Sequence, residues 1–264
     1  MTVEIRRLAH AKVNPFLRVL GRRNDGYHEI ETLVHPIDLS DELTVRQIVE
    51  GKAIELNVTG PLAAQLPPAN ENHVMHAAIA LRETVGREDT GLEISLTKRI
   101  PVAAGLGGGS ADAAATLDAL AELWGCEPDL VERVAASVGS DVPALLAEGP
   151  VIARGRGERV ERVEVAPCRW RVMPADFGIS AAEAYGWWDE DGAVTGPDPG
   201  PLLAALAAGD LEAAGRFLFN DLEAPILRKH PELEATKAQL VTEGAFGAIV
   251  SGSGPSVAGL YPPV

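Results

Sequence analysis

Pro101-Val102-Ala103-Ala104-Gly105-Leu106-Gly107-Gly108-Gly109-Ser110-Ala111-Asp112-Ala113-Ala114 is the stretch around which this chain is organised. Just upstream, the apolar residues of Leu92-Glu93-Ile94-Ser95-Leu96-Thr97 alternate as in a half-buried strand; just downstream, Ala113, Leu117, Leu120 and Trp124 fall on one helical face. The order is therefore strand, glycine loop, helix. Glycines let backbone N–H groups approach a ligand with no Cβ in the way, and a helix N-terminus presents unpaired donors and the positive end of its dipole. A phosphate is the natural guest. No Lys-Ser or Lys-Thr follows a glycine at Walker A spacing, and Ser110 stands where the third glycine of a dinucleotide fingerprint would be, so two common nucleotide folds are disfavoured. Taken alone, a glycine run is equally well explained as a connector or a close helix–strand turn.

The rest of the chain bounds what such a loop can serve. Its 264 residues can bury a sizeable core, and two moderate domains are the preferred division, with a boundary near residue 155 where the sequence character changes. A net charge of −15 argues against nucleic acid or an anionic membrane as partner, so an anionic substrate needs a locally positive site. Two cysteines, Cys126 and Cys168, give neither a disulfide framework nor zinc spacing and fit a reducing cytoplasm. Charges interrupt residues 1–10 where a signal peptide needs an apolar core, and no apolar run is long enough to span a bilayer. The expectation is a cytoplasmic chain, with monomer and homodimer both open.

Taken in order, Val3 to Leu8 and Ala9 to Leu20 read as two strands, with Pro15 at an edge or bulge and Lys12 and Asn14 on one face. Asp25-Gly26 marks a turn into a strand through Leu33, Val34 and Ile37; Asp41 to Val49 and Ile54 to Val58 read as further strands. Asn72 suits the N-cap of a helix; His73 and His76 lie one turn apart, with no third ligand to make a metal site. A helix over Pro128 to Val138 stops at Gly139, and Asp141 before Val142-Pro143 reads as an N-cap. Ser180 caps a helix that carries Tyr185, Trp187 and Trp188; 189–200 reads as a mobile linker; Leu202 to Leu218 is one or two helices. Asn220 and Asp221 cap the next helix. Pro231 to Glu243 is amphipathic, with Leu233, Lys237, Leu240 and Val241 on one side. Ala248 to Leu260 is strand, glycine turn, strand.

The order Gly-Leu-Gly-Gly-Gly-Ser-Ala-Asp-Ala-Ala resembles the central phosphate loop of the GHMP kinases, the small-molecule kinases named after galactokinase, homoserine kinase, mevalonate kinase and phosphomevalonate kinase. Ala11-Lys12-Val13-Asn14, with Arg23-Asn24-Asp25-Gly26-Tyr27-His28-Glu29, resembles the N-terminal signature of the branch that phosphorylates 4-diphosphocytidyl-2-C-methyl-D-erythritol in the non-mevalonate (MEP) isoprenoid pathway. Gly139-Ser140-Asp141-Val142-Pro143 and Ser251-Gly252-Ser253-Gly254-Pro255 resemble two further motifs of these kinases. The family pattern continues past this last hairpin with another helix and strand, whereas this sequence ends at Val264.

The resemblance implies an α+β, two-domain GHMP kinase fold: an N-terminal ribosomal-protein-S5-domain-2-like ATP-binding domain over 1–155 and a ferredoxin-like C-terminal α/β sandwich over 156–264. It implies transfer of a phosphoryl group from ATP, with Mg²⁺, to the 2-hydroxyl of the diphosphocytidyl substrate. Asp141 would accept the hydroxyl proton, with Lys12 keeping it ionised and Asn14 facing the reacting hydroxyl. Pro101, Ala103, Gly105, Leu106, Gly107, Gly108, Gly109, Ser110 and Ala111 would cradle the nucleotide phosphates, with Asn72 and Lys98 near adenine. Tyr27, His28 and Tyr185 would meet the cytidine end. The rivals are a kinase of another alcohol, such as homoserine or a mevalonate derivative, and a non-catalytic nucleotide-binding protein; Lys12 and Asp141 together speak against the latter.

Overall fold

The computed structural model describes residues 3–48, 51–147, 149–192 and 194–263. Along them run β1 (Glu4–Arg22), β2 (His28–Ile48), β3 (Ile54–Thr59), α1 (His73–Thr84), β4 (Gly91–Thr97), α2 (Gly108–Trp124), α3 (Pro128–Val138), α4 (Val142–Leu146), β5 (Val151–Gly155), β6 (Arg159–Arg162), β7 (Arg169–Met173), α5 (Ala181–Glu190), α6 (Gly200–Ala208), α7 (Leu211–Phe217), β8 (Phe219–Asn220), α8 (Glu223–Lys229), α9 (Glu232–Thr242), β9 (Gly247–Val250) and β10 (Val257–Tyr261). The class is α+β, as expected. Two compact units emerge, interleaved in sequence: the first takes the described residues of 1–11, 38–102 and 107–148, the second those of 12–37, 103–106 and 149–264. They do not follow a single cut at residue 155, because the long strands β1 and β2 each pass from one unit into the other.

In the first unit, residues 42–48 of β2 lie antiparallel to β4, and β4 parallel to β3. Alternation decides which face is buried: Leu92, Ile94 and Leu96 of β4 and Leu43 and Val45 of β2 are sealed from solvent, while Ser95 between them is exposed. Helix α2 buries Ala113, Leu117 and Leu120 of the expected stripe, leaves its last member Trp124 half-buried, and packs against α1, α3 and α4. Asn72 does cap α1, its side chain accepting a hydrogen bond from the Val74 amide at 2.9 Å.

In the second unit, residues 30–34 of β2 pair antiparallel with β5, β5 with β6, and β1 pairs parallel with the two-residue β8 at Phe16 and Leu17. A separate sheet has the order β7-β10-β9, antiparallel throughout. Its core gathers Leu17, Val19, Ile30, Trp188, Leu222, Ile226, Leu240, Val250 and Val257. Helix α5 opens on a capping box in which Ser180 and Glu183 satisfy each other's backbone amides.

Several local expectations change. The two N-terminal strands are one, since no turn residue separates Leu8 from Ala9, and Pro15 is buried within it. The next two also merge into β2; Val49 lies outside the described residues. The described residues of 189–200 are not a free linker: Asp189 and Glu190 finish α5, the Gly196 amide donates to Asp221 Oδ2 at 3.2 Å, and Arg18 reaches the Pro197 carbonyl at 3.0 Å. The N-cap residue of α8, Leu222, makes no side-chain cap, but Asn220 Oδ1 accepts the Leu222 amide at 2.9 Å just ahead of the helix, whereas Asp221 does not cap it. Asn220 also ties the chain to the Val250 and Gly252 carbonyls, and Asp221 takes the Val19 amide. On α9, Leu233 and Leu240 are buried but Val241 is 51 % exposed, so the apolar stripe is narrower than its sequence suggests.

Candidate active site

Lys12 and Asn14 are two residues apart on β1 and so share a face. In the second unit that face meets Gly105. The Lys12 ammonium, on a side chain only 4 % exposed, donates to Asn14 Oδ1 at 2.5 Å and to the Gly105 carbonyl at 2.9 Å. The Asn14 amide is oriented from both ends, because its Nδ2 donates to Thr32 Oγ1 at 2.8 Å while its oxygen accepts from Lys12. Ser251, from the turn between β9 and β10, donates its hydroxyl to the Gly105 carbonyl at 3.1 Å and accepts from the Asn14 backbone N–H at 3.2 Å. Gly252 completes the pocket by lacking a side chain: a Cβ there would lie 2.8 Å from Asn14 Oδ1 and 3.0 Å from Lys12 Nζ. Two of the contacts that place this cation at the glycine stretch are thus to neutral oxygens, those of Asn14 and Gly105. Within the same stretch Ala103 takes the left-handed conformation at φ 52°, and its carbonyl accepts from the Ile179 amide at 3.2 Å.

In the first unit the second half of the glycine stretch forms the start of α2. Gly107, at φ 68°, is the N-cap and offers no side chain, so no side-chain cap occupies the amides of Gly108, Gly109 and Ser110. Those amides and the helix dipole suit a phosphate. The first turns of α1 and α2 touch here, since a Cβ on Gly109 would lie 3.2 Å from the His73 ring. Burial, then repulsion from His76 and Lys98, pushes the His73 pKa down, which keeps the imidazole neutral. Lys98 is 1 % exposed and pairs with Asp41 Oδ2 at 2.5 Å and Asp112 Oδ2 at 2.7 Å. Its ammonium is committed to the protein interior.

The aromatic group has its own place in the second unit. His28 stacks on Tyr185 with ring centroids 4.7 Å apart, meets Trp188 edge-on at 5.8 Å, and bonds through Nε2 to Asp189 Oδ1 at 2.9 Å. Tyr27 is 53 % exposed beneath the Arg156 guanidinium, 5.0 Å from its ring centre. A ring open to solvent on a turn can accept a stacked base.

Asp141 stands at the N-cap position of α4 but its carboxylate makes no cap hydrogen bond, contrary to the capping role read from sequence. The structure also adds residues that sequence reasoning passed over. Ser251 and Gly252 lay within a recognised hairpin and Asp112 within the glycine motif, yet none had been assigned a role. Thr32, Asp41 and Asp189 carried no local signal, because each partner is distant in sequence.

These features define a small-molecule phosphotransferase architecture, and comparison with known proteins makes it specific. The family models described as GHMP kinases N terminal domain and GHMP kinases C terminal match residues 72–149 and 202–263. The chain belongs to the GHMP kinases. Among its relatives is 4-diphosphocytidyl-2-C-methyl-D-erythritol kinase of Pelotomaculum thermopropionicum, 44 % identical over 96 % of this chain and 88 % of the relative. The protein of the same name from Symbiobacterium thermophilum is 43 % identical over 96 % of this chain and 89 % of its own. A crystal structure of 4-(cytidine 5'-diphospho)-2C-methyl-D-erythritol kinase matches with a TM-score of 0.79 at 38 % identity, covering 97 % of this chain and 90 % of that one. Within the GHMP kinases, this chain falls in the 4-diphosphocytidyl-2-C-methyl-D-erythritol kinase family.

Proposed function

We propose that the chain transfers the γ-phosphoryl group of ATP to the 2-hydroxyl of 4-diphosphocytidyl-2-C-methyl-D-erythritol, giving the 2-phosphate and ADP on the MEP route to isoprenoid precursors. The observation that carries this reading is the buried Lys12 ammonium held against the Gly105 carbonyl. Phosphoryl transfer passes through a loose transition state with charge spread over the phosphoryl oxygens, so fixed positive groups and positioning supply most of the catalysis. The near full-length alignment with kinases of that printed name supports the choice of acceptor.

In this reading the amides of Gly105 to Ser110 hold the nucleotide phosphates, with Pro101 and Ala103 shaping the approach and Ala111, whose amide donates to the Gly107 carbonyl at 2.8 Å, closing the first turn behind them. The N-cap of α1 at Asn72 and the backbone at Lys98, whose ammonium is taken up by Asp41 and Asp112, border the adenine side. Lys12 offsets charge on the transferring group, Asn14 orients the hydroxyl, and Asp141 removes its proton. Tyr27, His28 and Tyr185 take the cytidine end, an aromatic face for the base and an imidazole for a hydrogen bond. The residues present fit a nucleotide, since the first-turn amides of α2 carry no side-chain cap. Mg²⁺ would come with the nucleotide's phosphates and supply charge neutralisation there. We place the enzyme in the cytoplasm, where its free Cys126 and Cys168 stay reduced. Among the described residues no helix is long and apolar enough to cross a membrane.

The test is ADP release from ATP across a panel of alcohols, with Asp141→Asn alongside. Turnover with the diphosphocytidyl substrate, lost by about a hundredfold or more in Asp141→Asn while ATP still binds, is the expected result. Turnover confined to homoserine or a mevalonate derivative overturns the acceptor, and near-normal turnover in the variant removes Asp141 from its role.

A further inference from the structure

Three charged side chains are sealed inside the first unit, and the proposed phosphoryl transfer uses none of them directly. Lys98 follows β4; its ammonium lies between Asp41 of β2 and Asp112 of α2, at 2.5 and 2.7 Å, and all three residues are at most 2 % exposed. Asp41 uses its other oxygen to accept the Arg99 amide and, at 2.9 Å, the Ile100 amide, so it grips the backbone that leads directly into Pro101. Asp112 is the fifth residue of α2, one turn inside the end that bears the glycines. That end presses on the same ammonium: a Cβ on Gly108 would lie 3.0 Å from Lys98 Nζ and 2.9 Å from Ile100 Cγ2.

The arrangement is costly. Two carboxylates share one ammonium in a dry interior, and Asp112 Oδ1 has no hydrogen-bond partner. Burial raises the Asp112 pKa to about 7 against the pull of Lys98. Well-packed apolar residues would hold these elements together at least as firmly, so stability alone does not account for the cluster. What an ion triad adds is direction, because each oxygen fixes one donor along one line.

We propose that Lys98, held between Asp41 and Asp112, is a strut that sets the first turn of α2 against the end of β4, making Lys98 and Asp112 positioning residues for the nucleotide. This deepens the phosphate-loop reading and rests on it. The amides of Gly108, Gly109 and Ser110 must point at the phosphates within a few tenths of an ångström to act, and this ammonium ties the start of α2, through Asp112, to the end of the strand before it. Losing the tie lets the turn shift, which weakens the grip on ATP and leaves the acceptor's contacts alone.

The experiment compares wild type with Asp112→Ala, Asp112→Asn and Lys98→Arg in steady-state kinetics, with thermal unfolding to establish that each is folded. Asp112→Ala removes the tie and is expected to raise KM for ATP about tenfold, a loss of about 1.4 kcal/mol, with kcat and the acceptor KM near wild type. Asp112→Asn keeps an oxygen facing Lys98 and is expected to restore KM. Lys98→Arg keeps the charge but enlarges the head against Gly108, so KM for ATP rises again. Wild-type KM for ATP in folded Asp112→Ala overturns the proposal, as does an equal fall in kcat and rise in both KM values. Should Asp112→Ala not fold, Lys98→Arg decides: unchanged KM for ATP in that variant refutes the strut. Hydrogen exchange of residues 105–110 with and without ATP separates the two readings. No protection in wild type removes the phosphate loop itself; protection together with unaltered KM in the variants removes only the strut.

Discussion

Gly105→Ala tests whether the glycine stretch and the turn between β9 and β10 fit together as described. Gly105 sits at φ +74°, where an L-residue pays about 1–2 kcal/mol, and a Cβ there would lie 2.1 Å from the Ser251 carbonyl oxygen and 2.9 Å from the Gly254 backbone. Real contacts of that kind are an ångström or so longer, so backbone must move, and overpacking of a tight site costs about 1–3 kcal/mol. The sum is roughly 2–5 kcal/mol, to be read as a shift in urea midpoint at unchanged slope. The same movement drags the Gly105 carbonyl from Lys12 and Ser251, so kcat should fall even in material that folds. Gly125→Ala is the control, because Gly125 has nearly the same φ, +65°, with nothing within 4 Å of its would-be Cβ. It should lose only the left-handed term. If Gly105→Ala proves no less stable than Gly125→Ala and turns over normally, the close approach between loop and turn is wrong.

Asp112 sets a pH dependence whose sign is opposite to that of an ordinary salt-bridged carboxylate. Native Asp112 keeps its proton to about pH 7 while the unfolded chain releases it near 3.8, so the folded state binds more protons in between and stability falls as pH rises from about 4 to about 7. The full interval corresponds to roughly 4 kcal/mol. Asp112→Asn lacks the titration, so the stability of wild type relative to the variant should fall over that range and level off above it; parallel curves would refute the shift. Asp189→Ala removes the 2.9 Å partner of His28, a charge-assisted bond of about 1.5–3 kcal/mol. KM for the cytidine-bearing substrate should rise roughly tenfold or more with KM for ATP unchanged, and a change in the ATP constant instead would detach His28 from the acceptor.

What could be read in advance was local in the chain. Asn72 and Ser180 announce their helices because a cap acts on amides two or three residues away, and Lys12 and Asn14 share a face because strand side chains alternate. The strand, glycine loop and helix of 92–124 are legible for the same reason. Partners fixed by topology left no such trace. The Gly105 carbonyl answers Lys12 across 93 residues and Ser251 across 146, and Lys98 finds Asp41 across 57. Lys98 illustrates the consequence: alone it reads as one more cation for an anionic ligand, yet its charge is already claimed by two carboxylates whose positions only the fold reveals.

That loss sharpens how a chain of net charge −15 can attract a nucleotide. With Lys98 neutralised and His73 held uncharged by burial, the first unit brings no free side-chain cation to the start of α2 from those two residues. What remains there is backbone: the uncapped amides of α2, with the first turn of α1 against them at Gly109 and His73, two helix dipoles presenting positive ends in one place. Amide donors are fixed by the helix itself and need no side-chain ordering to bind, so an anion is held at little entropic cost and without a lysine-rich surface that would also collect unrelated polyanions. On this argument the overall acidity serves selectivity: long-range attraction is absent, and only a ligand whose phosphates reach those amides gains from them.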